Sequence, residues 1–257
     1  MTTTQTTNYG LVKPVAGSGE PVSVQAHIND NYDKIDQDMN RYDRQVFTVN
    51  GTWNKPARAK RVKVYLIGGG GSGGAVAATS ASQIAVAGGG GGGGYAEKLY
   101  LASVLAASET VEVGAAGAGA AAGNNNGNAG GISKFAVGKA YEVSATGGAG
   151  GVGSASGTGS GNVAGGAAGV GVAGDLNLAG SDGGNGIFIS TIATASAYGG
   201  SAARGGGVAK ASTTSSTGNA GKLYGGGSAG AVNYAGSLSA KASEAGAPGH
   251  VIIDTYY

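Results

Sequence analysis

Apolar positions along the chain follow three different periods. Between residues 28 and 46 they recur at Ile28, Tyr32, Ile35, Met39, Tyr42 and Val46, with Asp30, Asp33, Lys34, Asp36, Asp38 and Arg41 filling the gaps. The spacing alternates between four and three, which is a heptad seam. A helix of about three heptads is marginal alone in water. The seam therefore predicts a short coiled coil, with a trimer as the first choice; an amphipathic helix resting on its own domain is the alternative. Further on the period changes to two. Val62, Val64 and Leu66 alternate with Arg61, Lys63 and Tyr65, and Val111 and Val113 flank Glu112. Both read as strands. "NGTWNKP" predicts a turn with Trp53 as an aromatic plug, and "APGHVIIDTYY" ends the chain in a strand placed to pair with Val62–Ile67.

The third period is carried by glycine. Between Gly147 and Gly186 there are 17 glycines, ten of them at positions divisible by three, six in the second frame and one in the third. An extended left-handed helix with three residues per turn requires such a bias. Collagen is excluded, because the repeat is broken and the whole chain has four prolines. Composition sharpens the picture: 56 of the 257 residues are glycine, about three times the usual share. A chain so rich in glycine defaults to disorder, because ordering glycine costs about 0.5–1 kcal/mol more than ordering alanine. Backbone bonds between extended helices packed side by side would offset that cost, and close packing needs glycine wherever a Cβ would intrude. Val, Ile and Leu are interspersed, and a strand returns at the end. Both features favour an ordered array over a flexible linker.

Charge and candidate chemistry narrow the function. The net charge is +2, which gives no basic face for nucleic acid. There is no cysteine. The opening MTTTQTTNYG lacks the apolar run of a secretory signal, and no stretch approaches the ~20 apolar residues of a membrane span. Gly68, Gly70 and Gly73 match the dinucleotide-binding pattern, but "AVAGGGGGGGG" stands where a helix and a later acidic residue are needed. The two P-loop-like pairs fail, since Gly138-Lys139 precedes Ala140 and Gly221-Lys222 precedes Leu223. His27 and His250 lie at opposite ends and read as structural or surface residues, and no metal-ligand cluster has workable spacing. No cofactor and no enzymatic activity are expected. What remains is a set of polar and aromatic islands between glycine runs. If the runs are rods, the islands become loops at their ends, and the candidate recognition residues are Asn125, Asp182, Asn185, Tyr198, Arg204, Tyr224, Asn233 and Tyr234.

The succession "FTVNGTWNKPARAKRVKVYLIGGGGSGGA", "AGGGGGGGGYAEKLYL", "ETVEVGAAGAG", "GNAGGISKF" and "GAPGHVIIDTY" resembles the glycine-rich domain of bacteriophage tail-fibre and tail-tip proteins over residues 46–257. "YGLVKPVAGS…INDNYDKID" is similar to the leader by which phage fibre proteins attach to a tail or baseplate. The resemblance implies a virion protein that recognises a bacterial surface glycan or protein. In the related adhesin of T-even-like long tail fibres, packed polyglycine helices bind through the loops at their ends. Those loops vary, so no binding residue carries over.

The resulting expectation is a mainly β protein with a non-standard glycine-rich part, assembled as a homotrimer. Residues 1–45 are the attachment and trimerisation segment, with Ile28, Tyr32, Ile35, Met39 and Tyr42 as the seam. Residues 46–113 and 248–257 form a β platform, and 114–247 a polyglycine II-like array with loops. A purely structural fibre protein without a receptor site is the alternative function.

Overall fold

The computed structural model describes residues 3–5, 12–14, 30–39, 42–189, 192–195, 197–205 and 214–257. It is mainly β. In chain order the elements are β1 (Thr3–Gln5), β2 (Val12–Pro14), α1 (Asp30–Met39), β3 (Tyr42–Phe47), β4 (Gly51–Asn54), β5 (Arg61–Ile67), β6 (Ala85–Val86), β7 (Tyr95–Leu101) and β8 (Ser108–Glu112). There follow β9 (Ser133–Phe135), β10 (Val143–Ala145), β11 (Gly161–Val163), β12 (Gly171–Val172), β13 (Leu176–Leu178), β14 (Gly186–Ile189), β15 (Ile192–Ala195), β16 (Val232–Asn233) and β17 (His250–Tyr256).

Two five-stranded sheets, ordered β13-β7-β5-β17-β3 and β12-β10-β9-β8-β4, share one hydrophobic core. The period of two read at Arg61–Ile67 turns Val62, Val64 and Leu66 into this core, where they meet Val251 and Ile253 of β17. β17 pairs antiparallel with β5 along its whole length, as the sequence led us to expect, with Val251 opposite Leu66. Trp53 lies in β4 rather than in a turn. It is fully buried, with Phe135 edge-on at 5.9 Å.

The heptad seam does not run its full length as a helix. α1 stops at Met39, and Tyr42 and Val46 belong to β3, paired with Tyr256 and Ile252 of β17. Ile28 lies outside the described residues. Strand pairing wins over helix here because it completes a sheet and closes a polar network. The Arg44 guanidinium grips the Asp254 carboxylate with two hydrogen bonds of 2.8 Å, and the Tyr42 hydroxyl donates a third of 2.8 Å. Asp254 is buried, which alone would raise its pKa. The bonds from Arg44 and Tyr42 outweigh burial and hold the carboxyl below the usual aspartate range. Burial, then the bond to Asp254, push the Tyr42 phenol up to about 12.

The glycine runs lie outside these strands, yet their backbones are extensively hydrogen-bonded to one another. In the segment 68–76 the bonds repeat every third residue. The amides of Gly68, Gly71 and Gly74 donate to the carbonyls of Gly94, Gly91 and Gly88. Those of Gly69, Ser72 and Ala75 donate to Gly131, Asn128 and Asn125, and those of Gly70 and Val76 to Ala247 and Lys241. The carbonyls repeat as well. Gly69, Ser72 and Ala75 accept from Gly148, Gly151 and Ser154, Gly71 and Gly74 accept from Ser228 and Ala231, and Gly70 accepts from Gly117. Three neighbouring segments thus take its amides and three others supply amides to it.

Segment 87–94 follows the same rule. Gly88, Gly91 and Gly94 donate to Val152, Ala149 and Thr146, Gly89 and Gly92 to Gly184 and Ser181, and Ala87, Gly90 and Gly93 to Ala231, Ser228 and Gly225. These two segments are completely buried. They continue β5 and precede β7, so the centre of the array comes from residues inside the stretch read as platform, and 114–247 surround it. Glycine is required by space. A Cβ on Gly71 would fall within 3.0 Å of the backbone of Gly148 and Ala149, and one on Gly91 within 3.0 Å of Gly166 and Ala167.

Gly71→Ala should therefore destabilise the protein by about 3 kcal/mol, since backbone rather than a flexible side chain must give way. At Gly159 nothing lies within 4 Å of an added Cβ, and Gly159→Ala should change stability by less than about 0.5 kcal/mol. Urea unfolding of both variants checks the contrast. Arg44→Ala should lower stability at pH 7, because it leaves the buried Asp254 carboxylate with one partner fewer, and by less than the loss of a fully buried pair, because the Arg44 side chain is half-exposed. The depressed pKa of Asp254 contributes stability that is complete above the ordinary aspartate value of about 3.9 and is lost as pH falls through the folded value. The gap between variant and parent should accordingly hold from pH 7 to about 4 and narrow as the pH falls further.

Candidate functional site: the loop end of the glycine segments

Successive segments of the array run in opposite directions. Segment 68–76 leaves β5 at the sandwich and ends where Val76 bridges to Ser154 and Lys241; segment 87–94 returns to β7. Segments 146–154 and 164–170 leave β10 and return to β12, and 225–231 and 241–249 leave and return in the same way towards β17. The turns far from the sandwich gather 77–84, 121–124, 155–160, 186–189, 192–195 and 232–240 at one end.

Short pairings knit that end together. β6 pairs with β16, β11 with β14, and β14 with β15. The Ile84 and Gly157 backbones exchange hydrogen bonds of 2.9 and 3.0 Å, and the Thr79 amide donates to Ser237 O at 2.8 Å. Beneath them Ile84, Val86, Phe188 and Val232 form a second small core, with Val163 and Tyr234 packed against it. The loops thus stand on a hydrophobic plug over a hydrogen-bonded array.

The structure divides the eight residues singled out in the sequence. Asn125, Asn185, Tyr198, Asn233 and Tyr234 belong to the loop end. Asn125 donates its amide to Ala121 O and Ala122 O at 3.0 and 3.3 Å, shaping its own turn. The side-chain oxygen of Asn185 accepts from the Gly165 amide at 2.9 Å, and that of Asp182, midway along the array, accepts from the Ala168 amide at 2.7 Å. Asn233 is fully buried and donates to Ala77 O and Ser239 O. Tyr234 is half-buried on the plug. Tyr198 is exposed.

Arg204 and Tyr224 lie at the opposite end, beside the sandwich. Arg204 donates to the Tyr95 hydroxyl at 3.0 Å and sits 3.7 Å from Glu97. The Tyr224 ring packs on His250 at 4.3 Å, and burial lowers the His250 pKa, so the imidazole stays neutral at pH 7. The eight residues do not form one site.

Sequence reasoning missed Leu238, which is 86% exposed at the loop end, and Ile189, exposed on β14. The signal for Leu238 was present: it is a large apolar residue in the Ser/Gly-rich stretch "AGSLSA". The exposed surface of this end is otherwise short and polar, with Asn124, Asn125, Thr158, Ser160 and Asn162. Such a surface can make hydrogen bonds and van der Waals contacts. Among the described residues no group of three His, Cys, Asp or Glu could hold a metal ion, and no helix is long and apolar enough to cross a membrane.

A family model described as a glycine-rich domain matches residues 46–256, and the chain belongs to that family. No curated protein matches it.

Several side-chain oxygens take the place of carbonyls in the array. The buried Ser228 hydroxyl accepts from the Gly73 amide at 2.6 Å and donates to Glu244 O at 2.6 Å. Ser228→Ala should strand both backbone groups and lower stability by about 2 kcal/mol. Ser160→Ala, on the exposed loop, should leave the urea midpoint where it is.

Proposed function

We propose that this member of the glycine-rich domain family is a bacteriophage tail-fibre or tail-tip receptor-binding protein, an adhesin without a catalytic step. In this reading the glycine segments are polyglycine II-like helices, and their hydrogen-bond period of three supports it. Residues 1–45 join the protein to the tail or baseplate, three copies assemble on the virion, and the loop end meets a bacterial surface glycan or protein.

One observation carries the proposal. The loops are supported by backbone bonds, a small plug and a few asparagine side chains, and the exposed side chains of Asn124, Tyr198 and Leu238 take no part in that support. Asn124, Tyr198, Leu238 and their neighbours are therefore free to be chosen for what they bind. The purely structural reading has an observation of its own: Asn125, Asn185 and Asn233 spend their amides on the protein's own backbone.

Fluorescently labelled protein applied to a panel of bacterial cells separates the two. The adhesin should stain some strains and not others. Asn124→Ala/Tyr198→Ala/Leu238→Ala should weaken staining by about tenfold or more, the loss of roughly one binding contact. Arg204→Ala/Tyr224→Ala, at the other end, should not. Equal staining by the loop variant, or no staining by folded protein on any strain, would favour the structural role.

A further inference from the structure

The sheet β13-β7-β5-β17-β3 buries one face in the main core and covers the other only in part: Ile67 and Tyr95 pack there with Ala202, while the rows nearer Arg61 stay open. The register places its other side chains in rows across the strands. Leu99, Lys63, Asp254 and Arg44 form one row, and Leu101, Arg61, Tyr256 and Tyr42 form the next. Leu101 is 60% exposed, Val46 54% and Leu99 47%, and Tyr42 is also exposed. The charged groups between them are largely paired on the face itself, Arg44 with Asp254 and Lys63 with Glu97. Apolar side chains thus surround charges that are partly paired and leave the face net positive, a composition suited to an interface.

α1 has the complementary problem. It is ten residues long, its Tyr32 is 66% exposed, and its Ile35 is exposed too. Such a helix is marginal alone in water. Its sequence DNYDKIDQDM carries four aspartates and one lysine, whereas the sheet face carries Arg44, Arg61, Lys63 and Arg204 against Asp254 and Glu97. The charges match. So do the dimensions: ten helical residues span about 15 Å, and seven strand residues span about 23 Å. α1 also reaches β3, the edge strand of this face, through Asn40 and Arg41 alone.

We infer that the open face of this sheet is the contact between copies of the chain, and that its occupant is α1 of a second copy, laid with Tyr32 and Ile35 against Leu99, Leu101 and Tyr42. The inference rests on the assembly reading given above and supplies its contact. Passing each helix to the next copy around a three-fold axis fills every face and closes the ring, which leaves no end for further growth. It also gives the acidic helix a role that a seam broken at Met39 cannot give it.

The full-length chain should sediment as a trimer at micromolar concentration. Leu99→Glu/Leu101→Glu and Tyr32→Glu/Ile35→Glu should each reduce the mass to that of one chain while circular dichroism stays as in the parent. All four positions are exposed, so the fold tolerates the changes. The chain has no cysteine, which permits a second readout. Ile35→Cys protein mixed with Leu101→Cys protein under oxidised glutathione should give a disulfide-linked pair of unlike chains, whereas Ile35→Cys mixed with Leu238→Cys should not. A monomeric parent overturns both the assembly and this contact. A trimer that survives the two sheet substitutions overturns the contact alone. Neither outcome bears on cell staining, so the receptor reading stands or falls separately.

Discussion

The structure depends on one exchange between neighbouring backbones: an amide of one glycine segment donates to a carbonyl of the next, at a distance no Cβ allows. Each bond contributes only about 1 kcal/mol net, and each glycine costs more entropy to order than another residue would. The array is stable because every segment in its centre is bonded on all sides. Segment 68–76 donates in three directions and accepts from three others, so its buried backbone groups find their partners on neighbouring segments rather than in water. An ordinary core repels water with side chains; this one excludes water by leaving it nothing to bond to.

That arrangement explains the division of labour in the chain. The β sandwich holds the large apolar residues, among them Trp53, Phe135 and Tyr100, and it starts and finishes the segments that need no such residues. At several points, some within a segment and some at its end, a side-chain oxygen substitutes for a carbonyl. Ser133, Ser228, Asn126, Asp182 and Asn185 all accept a backbone amide in this way. The islands that look like binding loops in the sequence are thus partly the stitching of the array.

Much of the fold was legible in the sequence. The alternation at Arg61–Ile67 gave its strand and its buried face, and "GHVIID" gave the partner strand, because both signals rest on local periodicity. The bias of glycine towards every third position pointed to the bonding period later found at 68–76 and 87–94. The heptad seam misled at Tyr42 and Val46, since six apolar residues spaced by four and three satisfy a helix locally while pairing with a strand more than two hundred residues away decides the outcome. The candidate site was least legible. Whether an island falls at the loop end or beside the sandwich depends on how many residues each segment takes to cross the array, and that separates Tyr198 from Arg204 although only five residues lie between them. Leu238 was passed over because isolated exposed leucines are common.

β17 has a consequence for how the molecule comes into being. It lies between β5 and β3, yet it is built from residues 250–256, whereas its neighbours come from residues 42–67. Until those last strand residues leave the ribosome, the sheet has a gap in its middle and β3 has nothing to pair with. The glycine segments that feed β17 must also find their places among backbones laid down earlier. Contacts of such long sequence separation fold slowly, and β5 spends that interval with an unpaired edge. Synthesis of this protein therefore includes a stage in which residues 42–249 exist and the sheet that they frame has no centre.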